Sequence, residues 1–364
     1  MRVLQVTPTF YPEVGGIQAV VDELTSQLGL HQIDSEIAHV SAAHKDYREE
    51  VIAGKRVWRV PMLGNRLVGL APRLRDLIKR FDLIHVHDPQ LAALTANVAL
   101  YRGDKPAVLS THGGYHHTKK FAFWKMAHEK VLMRSALKIY SAVLASSQAD
   151  YSRFQKYSER IVLCPNGVNV GRFQIPGKEC YDTRRWIYWG RLSKNKRIDR
   201  AIACVSQARK LGFEVDLCIC GPDSDGISDE LKAQITGEGL AKCIQIKAFL
   251  AAEALRDELA ARVVFITASE HEGFGLSIIE AMAAGCIILC RDIEPLNGFI
   301  EQGTNGLFLN FDGTGHDDAK LTRLLQMSEA QVATSSKSSQ QFATAYDWHR
   351  AVSNFVKSYQ SALA

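Results

Sequence analysis

At 364 residues, with 46% hydrophobic and 23% charged residues, the chain is long enough for two domains of ordinary soluble composition. No run approaches the roughly 18–20 consecutive apolar residues of a membrane span, and Met1-Arg2-Val3-Leu4-Gln5-Val6 reads as a first strand rather than a signal peptide. The net charge of +5 is uneven: residues 1–165 hold 22 Lys/Arg and 15 Asp/Glu, which is +7, leaving 22 and 24, or −2, for the remainder.

In chain order, the first half predicts strands at 3–6, 35–40, 82–87, 107–111, 142–145 and 161–163, with a glycine turn at Gly15-Gly16 and a helix from about Ile17 to Leu28. Residues 66–80 and 119–134 interleave basic with apolar residues. Each fits an interfacial helix on anionic lipid, or a solvated helix with a core face. No recognition motif favours nucleic acid. Residues 166–183, with Asn166-Gly167 and Pro176-Gly177, read as a linker between a first domain at 1–165 and a second at 184–345. The second half repeats the pattern with strands at 186–189, 215–220, 244–246, 263–266 and 287–290. Short apolar strands alternating with amphipathic helices predict an α/β fold of two doubly wound, Rossmann-like domains. All eight cysteines lie at or beyond Cys164 without a CxxC pair, and Cys218, Cys220, Cys286 and Cys290 sit in apolar runs as small hydrophobes. A reducing, cytoplasmic setting is expected.

Ligands of open parallel sheets bind at the C-terminal strand ends, and the polar clusters fall there: Gly15-Gly16, His87-Asp88, His112-Gly113-Gly114, Gly190-Arg191, Gly221-Pro222 and Glu272-Gly273. Two such edges facing each other would form one cleft. Residues 269–285 carry the most information. A strand runs into Gly273 and Gly275, and a helix is expected from about Ser277 to Gly285. Its N-terminus offers amides and the positive dipole end to a phosphate. Glu272 and Glu280 bracket the turn, where carboxylates suit sugar and ribose hydroxyls. An ordinary strand-loop-helix with a Ser cap is the plain alternative.

Glu272 and Glu280 with seven residues between them, Gly190-Arg191-x4-Lys196, Pro12-x-x-Gly15-Gly16, Asp82-Leu83-Ile84-His85-Val86-His87-Asp88 and Pro165-Asn166-Gly167-Val168 resemble, in order, the retaining glycosyltransferases of family 4. The resemblance implies the GT-B fold, two Rossmann-like domains facing across a cleft. The ending, Tyr346 through Tyr359, resembles helices that return to the first domain, so residues 346–364 are expected to pack back on it. By the same resemblance Arg191 and Lys196 would hold the nucleotide diphosphate. The amides of Phe274, Gly275, Leu276 and Ser277 would add to that clamp and to sugar binding. Glu272 would bind sugar hydroxyls, Glu280 the ribose, and His112 would sit by the donor sugar as a catalytic residue with Arg191, Lys196 and Glu272. Gly16 would let backbone approach the diphosphate, and Gly221 and Phe249 would border the base. Gln18, Tyr115 and His116 would face the acceptor. Asn169 stands where the family usually has Asp and is assigned no role.

Within the family, residues 110–118 and 188–196 look most like α-mannosyltransferases that extend diphosphate-polyprenol-linked glycans in bacterial exopolysaccharide assembly. That implies GDP-mannose as donor, a lipid-linked oligosaccharide acceptor, and peripheral contact with an anionic membrane at its inner face. No cofactor beyond the substrate nucleotide sugar is expected, and no metal. Asp223-Ser224-Asp225 has the Asp-x-Asp form of another glycosyltransferase fold, yet reads as a solvated turn. A UDP-sugar transferase and a non-catalytic sugar-nucleotide-binding protein are the alternative readings.

Overall fold

The computed structural model describes residues 1–88, 91–113, 133–178 and 180–364. The chain forms two compact units, Met1–Gly167 with Trp348–Ala364, and Val168–Asp347. In the first unit the strands are β1 (Arg2–Thr7), β2 (Asp34–Ser41), β3 (Arg48–Ile52), β4 (Lys55–Pro61), β5 (Leu63–Gly64), β6 (Gly69–Leu70), β7 (Leu83–His87), β8 (Ala107–Ser110), β9 (Ala142–Ala145) and β10 (Ile161–Leu163). Eight of them form one sheet in the order β10-β9-β8-β7-β1-β2-β4-β3, and β5 pairs with β6 as a separate hairpin. All neighbours are parallel except β3 and β4, which turn through Ala53 and Gly54, both at positive φ.

Side chains alternate across this sheet. Leu4, Val6, Ile84, Val86 and Leu109 enter one hydrophobic core. On the other face Gln5, His85 and His87 lie fully buried with Tyr359. Tyr359 belongs to the helix Trp348–Leu363, which buries Trp348, Ala351, Val352, Phe355 and Tyr359 at helical spacing. Gly167 is required beneath it, because a Cβ there would fall 2.3 Å from the Trp348 ring.

In the second unit β11 (Arg185–Trp189), β12 (Asp216–Cys220), β13 (Ile244–Lys247), β14 (Val264–Thr267), β15 (Ile287–Cys290) and β16 (Gly306–Phe308) form a parallel sheet in the order β13-β12-β11-β14-β15-β16. The chain steps outward from β11 to β13, then crosses to β14 and steps outward again. Strand order therefore reverses between β11 and β14, which opens a crevice at their C-terminal ends. In the first unit the reversal falls between β1 and β7.

Two segments differ from their sequence reading for identifiable reasons. Residues 168–173, within the expected linker 166–183, do not stand apart from the second unit. Val168, Val170 and Phe173 are buried in the core of the second unit, on a turn of helix at Val170–Phe173 that Asn169 caps by accepting from the Arg172 amide at 3.1 Å. Residues 66–80 do not form one interfacial helix. Only Leu74–Ile78 is helical, with Leu74, Leu77 and Ile78 wholly buried, so the solvated-helix alternative holds there. In this part of the chain the exposed large apolar residues are Leu63, Leu67, Val68 and Leu70, on and between β5 and β6. The second basic segment, 119–134, lies outside the described residues apart from its last two positions.

The ends of β11 and β12 approach so closely that only glycine fits. Gly190 donates its amide to Cys220 O at 3.0 Å and Leu192 to Pro222 O at 2.8 Å, while a Cβ on Gly221 would lie 1.9 Å from Gly190 O. Gly221 also has φ 147°, which side chains rarely adopt. Gly221→Ala is expected to destabilise the second unit by about 3 kcal/mol, lowering its melting temperature by roughly 6–12 °C. Differential scanning calorimetry checks this, and an unchanged transition would contradict the close approach.

Candidate nucleotide-sugar site

The reversal point in the second unit gathers most of the expected donor residues on two loops. After β11 the chain runs through Gly190 and Arg191 to a 3-10 turn at Lys194–Lys196. After β14 it runs through Glu270–Gly275 into the helix Leu276–Ala283. The loops are tied together by backbone, since the Glu270 amide donates to Asn195 O at 2.9 Å. Arg197, at φ 49°, reinforces the tie by pairing with Asp199 and, at 2.6 Å, with Glu270.

This frame puts Lys196 Nζ 2.6 and 2.7 Å from the two Glu272 carboxylate oxygens. Both side chains are largely buried, at 16% and 9% exposure, so the pair is weakly screened by water. The Arg191 guanidinium is exposed and, among the described residues, has no hydrogen-bond or ion-pair partner. Its backbone is fixed instead, through the Tyr188 hydroxyl donating to Arg191 O at 2.8 Å.

The helix starts one residue earlier than expected, and its cap is Gly275 at φ 96° rather than a serine. No side chain occupies the cap. The first intrahelical bond is made by the Ile278 amide to Gly275 O, so the Leu276 and Ser277 amides precede it. Gly285, at φ 75°, ends the helix, with the Cys286 amide returning to Ala281 O at 2.9 Å. The Phe274 ring is buried against Phe299 and Tyr346, which leaves its backbone to the site.

Glu280 accepts from the Trp189 indole N–H at 2.8 Å, and burial raises its carboxyl above the ordinary range while that hydrogen bond works in the opposite direction. The Trp189 ring also stands 6.3 Å from Phe249, which is 53% exposed. Trp189 was absent from the sequence-based site. The available signal was an amphipathic aromatic at a strand end before glycine, where its N–H needs a partner.

In the first unit, the helix Gly16–Leu30 begins without a side-chain cap, Gly16 is exposed and Gln18 is buried. His112 follows β8 at φ 51°, a left-handed conformation that costs energy in a non-glycine residue. It is imposed from both sides: the Thr111 hydroxyl and the Gly113 amide both donate to buried Asp150 Oδ2. The His112 ring is half-buried against His87, with Nε2 2.8 Å from His87 Nδ1. Burial lowers its pKa to about 4, so it is neutral at pH 7. Asp150 was not identified from the sequence, and His87 was read there only as part of a strand-end polar cluster, with no role of its own. Tyr115 and His116 lie outside the described residues.

Both carboxylates of the Asp-x-Asp segment are engaged by backbone. Asp223 accepts from the Ile227 and Ser228 amides, which holds its carboxyl down at about 2, and Asp225 accepts from the Lys194 amide at 2.9 Å. Cys218, Cys220, Cys286 and Cys290 are buried free thiols.

Comparison with known proteins agrees with this architecture. The family model described as Glycosyltransferase Family 4 matches residues 14–172, and that described as Glycosyl transferases group 1 matches residues 179–341. A GDP-mannose:cellobiosyl-diphosphopolyprenol alpha-mannosyltransferase of Xanthomonas oryzae pv. oryzae is 27% identical over 371 residues, covering 100% of this chain and 97% of the relative. One of the same name from Komagataeibacter xylinus is 27% identical over 375 residues, covering 100% and 94%. Among solved structures, a sucrose-phosphate synthase from Thermosynechococcus elongatus superposes with a TM-score of 0.80 at 16% identity, covering 99% of this chain and 98% of that one. With one half matching each of the two family models in sequence order, the chain belongs to the family 4, group 1 glycosyltransferases.

Proposed function

We propose that this glycosyltransferase moves mannose from GDP-mannose, with retention and in α linkage, to a diphosphate-polyprenol-linked oligosaccharide. The observation that carries the reading is the full-length likeness to relatives of that activity, in a chain whose strand-order reversal holds Arg191, Lys196 and Glu272 on adjoining loops and Glu280 on the helix that follows. Arg191 and Lys196, with the Leu276 and Ser277 amides, offset the charge that builds on the leaving diphosphate. Glu280 and Trp189 take the nucleoside end. The bond from the anomeric carbon to the phosphate oxygen breaks, and the bond to the acceptor oxygen forms on the same face. The acceptor's proton passes to the leaving phosphate, so no covalent glycosyl-enzyme on Glu272 is needed. The cations of the clamp come from side chains, and we propose that the reaction runs without a metal. A thermal-shift panel of GDP- and UDP-sugars, with EDTA and with magnesium, is expected to show stabilisation by GDP-mannose in both. Product analysis with lipid-linked disaccharide should then give one added hexose. Stabilisation by UDP-sugars alone would overturn the donor, and hydrolysis of glycosides without a nucleotide sugar would overturn transfer.

The Lys196–Glu272 pair separates the two glutamates kinetically. Glu272 neutralises a cation that the diphosphate also needs, so Glu272→Gln should tighten GDP binding by about 2–10-fold while kcat falls at least ~100-fold. Glu280 has no such competition, and Glu280→Gln should weaken GDP binding about tenfold with a smaller change in kcat. Isothermal titration with GDP and steady-state kinetics on both variants decide this. Equal defects in the two would contradict the division.

We also propose that the protein binds peripherally at the inner face of the membrane through the β5–β6 hairpin. Leu63, Leu67, Val68 and Leu70 are 43–78% exposed, and Arg73, Arg75, Lys79 and Arg80 follow on the solvent side of the next helix. No helix among the described residues is long and apolar enough to cross a membrane. Apolar burial of the hairpin contributes about 1–2 kcal/mol per large side chain, and each basic residue near an anionic surface about 1 kcal/mol. Leu67→Ser with Val68→Ser should lower binding to anionic liposomes about tenfold or more, and salt should weaken the wild type. Sedimentation with vesicles of varied phosphatidylglycerol content measures it. Binding indifferent to the substitutions, to salt and to anionic lipid would refute the hairpin.

A further inference from the structure

We propose that a buried chain of polar side chains in the first unit sets which nitrogen of His112 carries the proton, so that its outward Nδ1 is a hydrogen-bond acceptor. Gln5, His87, His85 and Tyr359 are then positioning residues acting through His112. The inference rests on the proposed function only for the identity of the group that His112 meets.

The chain can be followed atom by atom. His112 Nε2 lies 2.8 Å from His87 Nδ1, and His87 Nε2 lies 2.8 Å from Gln5 Oε1. Gln5 Nε2 reaches Ser35 Oγ at 3.2 Å and the Tyr359 hydroxyl at 3.4 Å. The Tyr359 hydroxyl lies 2.7 Å from His85 Nδ1, and His85 Nε2 lies 2.8 Å from Ser110 Oγ. Gln5, His85, His87 and Tyr359 are fully buried. Burial lowers the pKa values of His85, His87 and His112, so each ring carries one proton at pH 7.

An amide oxygen only accepts, so the proton of His87 is on Nε2 and its Nδ1 is a bare lone pair. That lone pair accepts from His112 Nε2–H. A neutral ring has one proton, so His112 Nδ1 is left as an acceptor. It has no hydrogen-bond partner among the described residues. At its other end the Gln5 amide turns Nε2–H to Ser35 Oγ and the Tyr359 hydroxyl oxygen. The Tyr359 hydroxyl donates to His85 Nδ1, its oxygen accepts from Gln5 Nε2–H, and His85 Nε2–H donates to Ser110. Every proton in the series then points from His112 toward Ser110, an arrangement in which each bond polarises the next. The Asp150 contacts on either side of His112 fix the ring's position, while this chain fixes its proton.

An acceptor at Nδ1 selects a partner that donates, as a hexose hydroxyl does and a fluorine in its place does not. His112→Gln identifies the His112 signals in two-bond proton–nitrogen spectra of protein carrying 15N-labelled histidine. The wild type should show a proton on Nε2 and a bare Nδ1, and His87→Leu and Gln5→Leu should each give a tautomer mixture. His87→Asn, whose amide oxygen falls near the position of Nδ1, should restore the wild-type signature. In turnover, one of the singly deoxyfluorinated GDP-mannose analogues should lose kcat/KM about tenfold relative to its neighbours with the wild type. That discrimination should largely disappear in the Leu variants and return with His87→Asn. A proton on Nδ1 in the wild type, or a tautomer unchanged in both Leu variants, overturns the proposal without reference to activity. A flat fluorinated series with the expected spectra overturns the contact between His112 and the donor hexose instead.

Discussion

The candidate donor site is organised around one ion pair, Lys196 with Glu272, which joins the Glu270–Asn195 backbone bond and the Arg197–Glu270 pair in tying together loops from adjacent strands. Parallel strands β11 and β14 end side by side, but their loops belong to segments some 75 residues apart in sequence. A cation and a carboxylate at 2.6–2.7 Å, mostly shielded from water, hold those loops more firmly than a surface pair would. The same pair costs the site part of its positive charge. Arg191, exposed and without a partner among the described residues, and the uncapped helix N-terminus supply what Lys196 shares with Glu272. Under the proposed function, stability and phosphate affinity therefore pull in opposite directions at a single carboxylate.

Much of this was legible in sequence, for physical reasons. Runs such as Val263-Val264-Phe265-Ile266 have the length and β-branching of buried parallel strands, and the structure places β14 at Val264–Thr267. Glycine turns mark where strands yield to helices, and several of the candidate donor residues fall at those turns. What escaped was carried by contacts that no local pattern encodes. Strands β3 and β4 are rich in charge, which is met across the sheet: Glu36 of β2 accepts from Arg56 and Trp58 of β4, and Glu50 of β3 pairs with Arg59 of β4. Trp189 became a site residue only once the reach to Glu280, 91 positions away, was visible.

The basic, apolar segment 66–80 shows the limit of composition. Its pattern admitted an interfacial helix, and the fold divided it. Leu74, Leu77 and Ile78 were drawn into the core, which leaves the exposed basic residues as the solvent face of an ordinary short helix. The apolar residues of this segment that remain in water, Leu67, Val68 and Leu70, lie on and before β6 of a hairpin. Composition predicted which kind of surface would exist; only packing decides which residues carry it.

The two units handle charge in opposite ways. In the second, cations and carboxylates are kept partly exposed near strand ends, where a diphosphate can be balanced. In the first, the strand ends around β7 and β8 carry histidines, and burial removes their charge. A charged His112 would attract an anion. A neutral one cannot, and its contribution is reduced to the direction of a hydrogen bond. That direction is not a property of histidine itself, because either tautomer is available to an isolated ring. It is inherited through His87 from the amide of Gln5. A residue in the first strand of the chain therefore determines what His112 presents to a ligand.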